Sequence, residues 1–257
     1  MVSASGRTAV VFNGEIYNYQ ELRSELTAAG YPFRTRSDTE VLLAGWEHWN
    51  DRLFQKLRGI FAFVLYDLIS REVIAARDHT GIKPLYYTER DGSILFASEI
   101  KALLCWPGMK ARLNEGALPK FLSFLWVPAP ETLFEGISIL EPAHHFTIGR
   151  DRRSLRKFWQ PDLWEADDTT TEAEWVARLD SEFQRVVREQ MISEVPLGAF
   201  LSGGVDSSTI VAYMNRISEQ PVITYTTGFD RADLEHDVIG SDLEYARIAA
   251  KQLRVES

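Results

Sequence analysis

Short apolar runs alternate with helical patterns over the first 150 residues. The run TAVVFNG at 8–14 predicts a strand that meets a turn at its Asn-Gly pair. The segment YQELRSELTAAG at 19–30 predicts a helix, because apolar residues recur four apart and a glycine stands at its end. Ser37 and Glu40 have capping-box spacing and indicate the start of a second helix.

Strand patterns then dominate. The run GIFAFVLYDLISREVIAARD at 59–78 predicts two strands joined around Ser70–Arg71. The run YYTERDGSILFAS at 86–98 predicts a hairpin with its turn at Asp91–Gly92, a pair that tolerates positive φ. The first 150 residues are therefore expected to be rich in strands, with a few helices.

The pattern changes near residue 160. Pro161 and the acidic pair Asp167–Asp168 indicate a linker over 159–170, which separates a first domain, 1–158, from a second, 171–257. Apolar strands then alternate with helices, which is typical of a parallel α/β sheet. The predicted elements are a helix at 171–193, a strand at 195–202, a helix at 207–218, a strand at 221–229 and a helix at 242–253. Only two strand–helix units are present, so the second domain is expected to be the first part of a larger one.

Composition narrows the class of protein. The 257 residues carry a net charge of −9 without a long basic run, which argues against nucleic-acid binding. We expect no membrane segment, because no apolar stretch reaches the roughly 18 residues that span a bilayer. Cys105 is the single cysteine, so no intrachain disulfide and no cysteine metal cluster can form, and its apolar neighbours predict a buried, inert thiol. The chain is expected to be cytoplasmic.

The stretch FLSGGVDSST at 200–209 carries the clearest candidate chemistry. If a strand ends before it and a helix begins within it, Gly203 and Gly204 let backbone N–H groups approach an anion beside a helix N-terminus. Asp206 could hold a Mg²⁺ ion that bridges phosphates. Hydroxyl donors would come from Ser202, Ser207 and Ser208. The stretch lacks the Gly-Lys-Ser/Thr of a Walker A loop, and its residues alone fit equally well an ordinary strand-to-helix turn with serine caps.

Several motifs together carry a family resemblance. LSGGVDSS resembles the pyrophosphate-binding loop (PP-loop) of the ATP pyrophosphatases, which cleave ATP to AMP and pyrophosphate. The chain as a whole is similar to glutamine-hydrolysing asparagine synthetases, whose motif order it follows from about residue 10 to 247. The matching segments are VFNGEIYNYQELR, SDTEVLL, RGIFAFVLYD, ARDHTGIKPLYY and FASEIKALL. The resemblance implies an N-terminal-nucleophile (Ntn) αββα sandwich, the class II glutamine amidotransferase fold, and then an adenine-nucleotide α-hydrolase-like parallel α/β domain.

The resemblance assigns roles in the first domain. Asn13 and Gly14 match the oxyanion-hole pair that stabilises the tetrahedral intermediate of glutamine hydrolysis. Glu15 and Asp38 match residues that hold glutamine, Asp38 through its α-ammonium group. Without the family, Asn13–Gly14 would be interpreted as a plain turn and Asp38 as a helix cap.

In the second domain the resemblance implies an ATP site. Leu201 matches a residue whose backbone meets the adenine, Asp206 matches a Mg²⁺ ligand, and Thr227 falls where the family contacts ATP again. The phosphate cradle would be formed by Ser202, Gly203, Gly204, Val205, Asp206, Ser207 and Ser208. ATP and Mg²⁺ are thus the implied cofactors, with glutamine and aspartate as substrates. Aspartate would attack the α-phosphate to give β-aspartyl-AMP, and glutamine-derived ammonia would displace AMP. A homodimer is compatible with the resemblance.

The sequence departs from the family in three places. The family's nucleophile is a cysteine directly after the initiator methionine, whereas Val2 stands there in this chain. Only twelve residues precede Asn13, too few for the family's nucleophile strand and its glutamine-binding arginine. A serine- and glycine-rich acidic loop that completes the family's ATP and aspartate pockets would lie beyond Ser257. We therefore expect a fragment or truncated reading frame that has no glutaminase activity alone.

Three alternatives stay open from the sequence. A related amidotransferase could amidate another carboxylate, such as a cell-wall or exopolysaccharide-linked acid, or close a β-lactam. A non-catalytic nucleotide-binding pseudoenzyme or scaffold is a second class. The third is a chain that does not fold stably, because an incomplete sandwich leaves an exposed sheet edge.

Overall fold

The structure is a computed structural model, and it describes residues 1–150, 153–162, 169–193, 195–228 and 242–256. The chain divides into two compact units, Met1–Leu163 and Trp164–Ser257. The predicted linker at 159–170 lies partly outside the described residues, so its structure is not compared with the prediction.

The first unit contains two antiparallel sheets and five α-helices in its described residues. Its strands are β1 (Thr8–Ile16), β2 (Gly59–Asp67), β3 (Glu72–Arg77), β4 (Tyr86–Arg90), β5 (Ser93–Ala97), β6 (Ile137–Ile139), β7 (His144–Ile148) and β8 (Arg153–Lys157). Its helices are α1 (Tyr19–Ala28), α2 (Asp38–Trp49), α3 (Leu53–Lys56), α4 (Ile100–Leu104) and α5 (Leu118–Phe124). The strand order is β1-β2-β3-β7-β8 in the larger sheet and β5-β4-β6 in the smaller.

Strand β1 is longer than the sequence suggested. It pairs with β2 from Thr8 opposite Asp67 to Ile16 opposite Gly59, so Asn13 and Gly14 lie inside the strand. The prediction of a turn at Asn13–Gly14 was wrong, because pairing with β2 overrides the local turn preference of an Asn-Gly pair. The strand pair joined at Ser70–Arg71 and the hairpin at Asp91–Gly92 are confirmed.

Helices α1 to α3 cover one face of the larger sheet. Leu22 and Leu26 of α1 are buried in a core that also contains Phe61 and Phe63 of β2. The expected start of α2 at Ser37 is confirmed, since the Ser37 hydroxyl accepts a hydrogen bond from the Thr39 N–H. Glu40 does not complete a capping box: its carboxylate accepts hydrogen bonds from the N–H groups of Arg34 and Thr35 instead.

The smaller sheet packs on the opposite face of the larger one. Phe146 of β7 meets Tyr87 of β4 edge to face, with ring centroids 5.1 Å apart. Tyr86 points to the other side of the smaller sheet, where it lines a cavity with Ile100 of α4 and Phe121 of α5. The layers therefore run helix, sheet, sheet, helix, as expected for the αββα sandwich.

Cys105 is exposed, so the prediction of a buried thiol was wrong. Helix α4 ends at Leu104, and its inward face is occupied by Leu103. The Cys105 thiol lies one position past the helix and donates to the Lys101 carbonyl at 3.4 Å. Apolar neighbours in sequence did not predict burial because only Leu103, on the helix, faces inward, while Trp106 and Pro107 follow the helix and are exposed as well.

The second unit begins with α6 (Glu172–Gln190), whose N-terminus carries a complete capping box between Thr171 and Glu174. It continues with β9 (Gly198–Phe200), α7 (Val205–Ile217), β10 (Ile223–Tyr225) and α8 (Asp242–Leu253). Strands β9 and β10 pair in parallel, which confirms the predicted α/β pattern. Its core includes Leu201, Val211 and Met214. In the described part of the chain, no helix is both long and apolar enough to cross a bilayer.

Candidate active site and nucleotide loop

The first candidate site lies at the carboxyl end of β1. Successive strand residues point to opposite faces of a sheet, so Asn13 and Glu15 share one face while Gly14 points to the other. A Cβ atom at Gly14 would lie 2.1 Å from the Ile60 carbonyl oxygen. Glycine is therefore required where the β1 backbone approaches β2.

Asp38 is brought to the same strand end from the first residue of α2. One of its carboxylate oxygens, Oδ2, accepts a hydrogen bond from the Ile16 N–H at 3.0 Å, across 22 residues of sequence. Ser37 rather than Asp38 caps the helix. The carboxylate thus ties α2 to β1 and brings Asp38 to the strand that carries Asn13 and Glu15.

Burial and the neighbouring charges shift the pKa of Glu15 at this end of β1. Burial raises the pKa of Glu15, and the negative charge of Asp38 raises it further, while Lys83 acts in the opposite direction. Two carboxylates and one lysine therefore interact electrostatically at this strand end. Because both signs of charge are present, the site is suited to the ammonium and carboxylate groups of a zwitterionic ligand.

Lys83 belongs to a tightly fixed loop at 78–83. The buried Asp78 carboxylate accepts hydrogen bonds from the N–H groups of Ile82 at 3.0 Å and Lys83 at 2.9 Å. The Arg77 guanidinium donates to the carbonyls of Gly81, Lys83 and Leu140. Sequence reasoning gave these residues no role, although Asp-His-Thr-Gly directly after a strand is a recognisable Asx-turn pattern.

Ser98 is a further residue that sequence reasoning missed. It follows β5 in the smaller sheet, and its hydroxyl accepts a hydrogen bond from the Asn13 side-chain amide at 3.2 Å. The two residues are 85 positions apart, so only the packing of the two sheets brings them together.

The second candidate site lies at the carboxyl edge of the parallel strands β9 and β10. Leu201 is 1% exposed, and its N–H donates to the Tyr225 carbonyl at 2.9 Å. Its own carbonyl accepts a hydrogen bond from the Thr226 hydroxyl at 2.6 Å. Thr226, which the sequence analysis did not single out, therefore fixes the start of the loop to the end of β10. Thr227 is exposed beside it.

Hydrogen bonds within the loop hold its serines together. The hydroxyls of Ser202 and Ser207 lie 2.9 Å apart, and the Ser202 N–H donates to the Ser207 hydroxyl at 3.2 Å. The Gly204 N–H donates to the Ser202 hydroxyl at 3.3 Å. Gly204 is the N-cap residue of α7 and makes no side-chain cap, so the alternative of a serine-capped turn does not describe this helix start.

The first turn of α7 presents its side chains to solvent. Val205 and Asp206 are exposed, and the first helical hydrogen bond runs from the Ser208 N–H to the Gly204 carbonyl. The N–H groups before Ser208 have no partner within a helix and make this end suited to an anion. Within the described residues, no group of three His, Cys, Asp or Glu side chains could hold a metal ion by itself. The single carboxylate of Asp206 fits a Mg²⁺ ion that is also held by phosphates.

Comparisons with known proteins agree with this division of the chain. Residues 1–159 match the family described as glutamine amidotransferase domain, and residues 178–257 match the family described as asparagine synthase. The solved structure of the glutamine phosphoribosylpyrophosphate amidotransferase of B. subtilis aligns with 100% of this chain and 71% of that one. Its TM-score is 0.45 and its sequence identity 14%.

Curated relatives cover most of this chain. Asparagine synthetase [glutamine-hydrolyzing] 3 of Bacillus subtilis is 38% identical over 87% of this chain and 37% of its own length. Asparagine synthetase [glutamine-hydrolyzing] 1 of the same organism is 37% identical over 96% of this chain and 38% of its own length. The chain thus spans less than two fifths of the length of these relatives. It belongs to the glutamine amidotransferase domain family through residues 1–159 and continues into an asparagine synthase match at 178–257.

Proposed function

We propose that this chain carries the glutamine site and the ATP loop of a glutamine-hydrolysing asparagine synthetase, a carbon–nitrogen ligase with glutamine as amido-nitrogen donor. The observation that carries the proposal is the meeting of Asn13, Glu15 and Asp38 at the end of β1. These residues lie in the segment that matches the glutamine amidotransferase family. We also propose domain limits at 1–158 and 171–257, with 159–170 as the linker.

In the proposed glutamine site each polar group has one task. Asp38 keeps one carboxylate oxygen on the Ile16 N–H and offers remaining lone pairs to the α-ammonium group of glutamine. Glu15 would help to hold glutamine at the same α-ammonium end. The Asn13 amide and the Gly14 N–H would donate to the oxygen that becomes negative when the glutamine amide is attacked.

In the proposed ATP site the loop after β9 surrounds the phosphates. The Leu201 backbone would meet the adenine, and the segment from Ser202 to Ser208 would cradle the pyrophosphate with its serine hydroxyls and with the N–H groups of the first turn of α7. Thr227 would contact ATP from the end of β10. Asp206 would hold Mg²⁺, which neutralises phosphate charge when it is bound. The proposed acceptor is the β-carboxylate of aspartate; the homodimer and the cytoplasmic location stay predictions.

Glutamine binding tests the first site. We expect L-glutamine to shift the amide resonances of 13–16 in a ¹⁵N-labelled sample. Asp38→Asn is expected to weaken this binding about tenfold, because the site loses a charge partner of the α-ammonium group. Glu21→Gln, on the exposed side of α1, is the matched control and should bind as the parent does. Equal binding by the parent and Asp38→Asn would contradict the glutamine site.

Exchange of labelled pyrophosphate into ATP, measured with aspartate and Mg²⁺, tests the second site and separates the classes of function. Exchange that Asp206→Asn abolishes supports an ATP-cleaving ligase. ATP binding without exchange favours the nucleotide-binding pseudoenzyme. Exchange with a different carboxylic acid in place of aspartate would support the related amidotransferase.

Glutaminase activity is a separate prediction of this proposal. The single cysteine of the sequence, Cys105, is exposed past the end of α4 rather than at the end of β1, so we expect these 257 residues alone to release no ammonia from glutamine. Ammonia release that disappears in Cys105→Ala or Asn13→Ala would contradict this expectation.

A further inference from the structure

Ser98 contacts the proposed oxyanion-hole amide from the other sheet. The Asn13 Nδ2 atom donates to the Ser98 Oγ atom at 3.2 Å, and both side chains are half-buried. Asn13 is held by the β1–β2 pairing, while Ser98 directly follows the β4–β5 hairpin. The hydrogen bond therefore links a strand of the larger sheet to the residue that directly follows β5 of the smaller sheet.

A side-chain amide carries two N–H donors on one nitrogen and an acceptor oxygen on the other arm. The contact with Ser98 occupies one N–H of Asn13 and fixes the plane of the amide. The second N–H of the same nitrogen then points in a defined direction and stays available to a ligand. An amide turned by 180° would present its oxygen instead, which would repel a negatively charged ligand oxygen.

We propose that Ser98 is a positioning residue, which holds the Asn13 amide so that its free N–H faces the developing oxyanion of glutamine hydrolysis. The inference rests on the proposed function, because it requires Asn13 to belong to the glutamine site. Ser98 itself does not touch the substrate. Its hydroxyl supplies the acceptor that keeps the first N–H paired while the second one is used.

The test is an NMR measurement on the ¹⁵N-labelled chain, which needs no glutaminase activity. The Asn13 side-chain NH₂ signal is assigned by its disappearance in Asn13→Asp. In Ser98→Ala we expect the NH₂ signals to move toward the chemical shifts of an amide without a protein acceptor and to exchange faster with water, because one proton loses its acceptor. Ser98→Thr keeps a hydroxyl and should restore the parent's signals. Ser24→Ala, on the exposed face of α1, is the matched control.

L-glutamine is then titrated into the same samples. Loss of one supporting hydrogen bond is expected to weaken glutamine binding by about 2- to 10-fold in Ser98→Ala, with recovery in Ser98→Thr. An unchanged Asn13 signal in Ser98→Ala, with glutamine still bound as in the parent, would overturn the positioning role and leave the proposed function intact. Failure of glutamine to shift residues 13–16 in the parent would overturn the proposed glutamine site, and the inference with it.

Discussion

Gly14 and Ile60 face each other so closely that a side chain cannot be placed between them. A Cβ atom built on Gly14 would lie 2.1 Å from the Ile60 carbonyl oxygen and 2.7 Å from the Phe61 Cα. Gly14 also has a φ of +154°, which residues with a side chain rarely adopt. The residue proposed to donate an oxyanion-hole N–H is therefore also the residue that lets β1 and β2 pair.

Gly14→Ala is expected to lower the free energy of unfolding by more than about 2 kcal/mol, because backbone atoms of β2 would have to move. Chemical denaturation followed by tryptophan fluorescence measures the change. Gly6→Ala is the matched control, since Gly6 has a φ of +72° but no atom within 4 Å of the added Cβ. It should cost only about 1 kcal/mol. Equal costs for the two variants would show that the contact with Ile60 is not the cause.

Elements with local causes were predictable from the sequence. The Asp91–Gly92 turn was found because both residues adopt positive φ, a preference that the pair carries by itself. The Asn13–Gly14 pair carries a similar local preference, yet nine residues of β1 pair with β2 and keep it extended. Local chemistry therefore fails where long-range pairing competes with it.

In the candidate sites, too, local features were predictable from the sequence and long-range contacts were not. The loop at 201–208 was predictable because strand, glycines and helix follow one another in a single stretch. Asp38 could be named only through the family resemblance, and its contact with the Ile16 N–H appears only in the fold. Ser98 and Lys83 gave no signal, because their roles depend on the packing of one sheet or loop against another.

Asp67 links the end of β2 to the start of β1. It is 1% exposed and accepts hydrogen bonds from the Arg7 guanidinium, at 2.6 Å for the shortest, and from the Trp46 indole at 3.3 Å. Burial alone would raise the pKa of Asp67, but the hydrogen bonds from Arg7 and from the Ile69 and Ser70 N–H groups outweigh it and lower the pKa. The charged form is therefore the one that the fold stabilises.

Asp67→Asn is expected to lower the free energy of unfolding by about 3 kcal/mol, because the amide nitrogen would face the donors that the carboxylate now accepts. In the parent, protonation of Asp67 should lower the free energy of unfolding as the pH falls below about 4, because the pKa of Asp67 is lower in the folded chain than in the unfolded chain. Glu25→Gln is the control: Glu25 pairs with Lys56 at the surface, and its loss should cost below about 1 kcal/mol. Urea titrations at pH 7 and about pH 2.5, below the unfolded-state pKa of Asp, would decide, and equal effects of the two variants would contradict the assignment.

His145 is a buried histidine, and its burial lowers its pKa. It is 3% exposed, stacks on Phe54 at 4.4 Å between ring centroids, and its Nδ1 atom has no hydrogen-bond partner among the residues that the structure describes. Burial lowers the pKa of His145, Asp51 raises it by a smaller amount, and Arg156 and His144 lower it. Below the unfolded-state pKa of about 6.5, the unfolded chain binds a proton that the folded chain does not, so stability falls as the pH falls.

His145→Phe keeps a ring against Phe54 and removes the titrating group. We expect the variant to lose less stability than the parent between pH 7.5 and pH 5.5, measured as thermal midpoints across that range. His48→Gln alters an exposed histidine and should keep the parent's pH dependence. A parent and a His145→Phe variant with the same pH slope would exclude His145 as the source.

The two neighbouring glycines of the loop at 201–208 are expected to serve different purposes. A Cβ atom at Gly203, where φ is +81°, would lie 2.4 Å from the Tyr245 carbonyl carbon and 2.6 Å from the Ala246 nitrogen in α8. Among the described residues, a Cβ atom at Gly204 would meet only the Ser202 hydroxyl, at 3.4 Å. Gly203 is thus needed for packing, whereas Gly204 leaves room where the proposed ATP phosphates approach the backbone.

Gly203→Ala should therefore disturb the fold of the second unit. We expect hydrogen exchange in α8 to rise by about tenfold or more, equivalent to a loss above about 1.4 kcal/mol, and ATP binding to weaken with it. Gly204→Ala should leave exchange in α8 as in the parent and weaken ATP binding alone. Exchange measured by mass spectrometry and ATP affinity by calorimetry separate the two effects. Parent-like exchange in Gly203→Ala would contradict the packing role, and parent-like ATP affinity in Gly204→Ala would contradict close phosphate approach at that position.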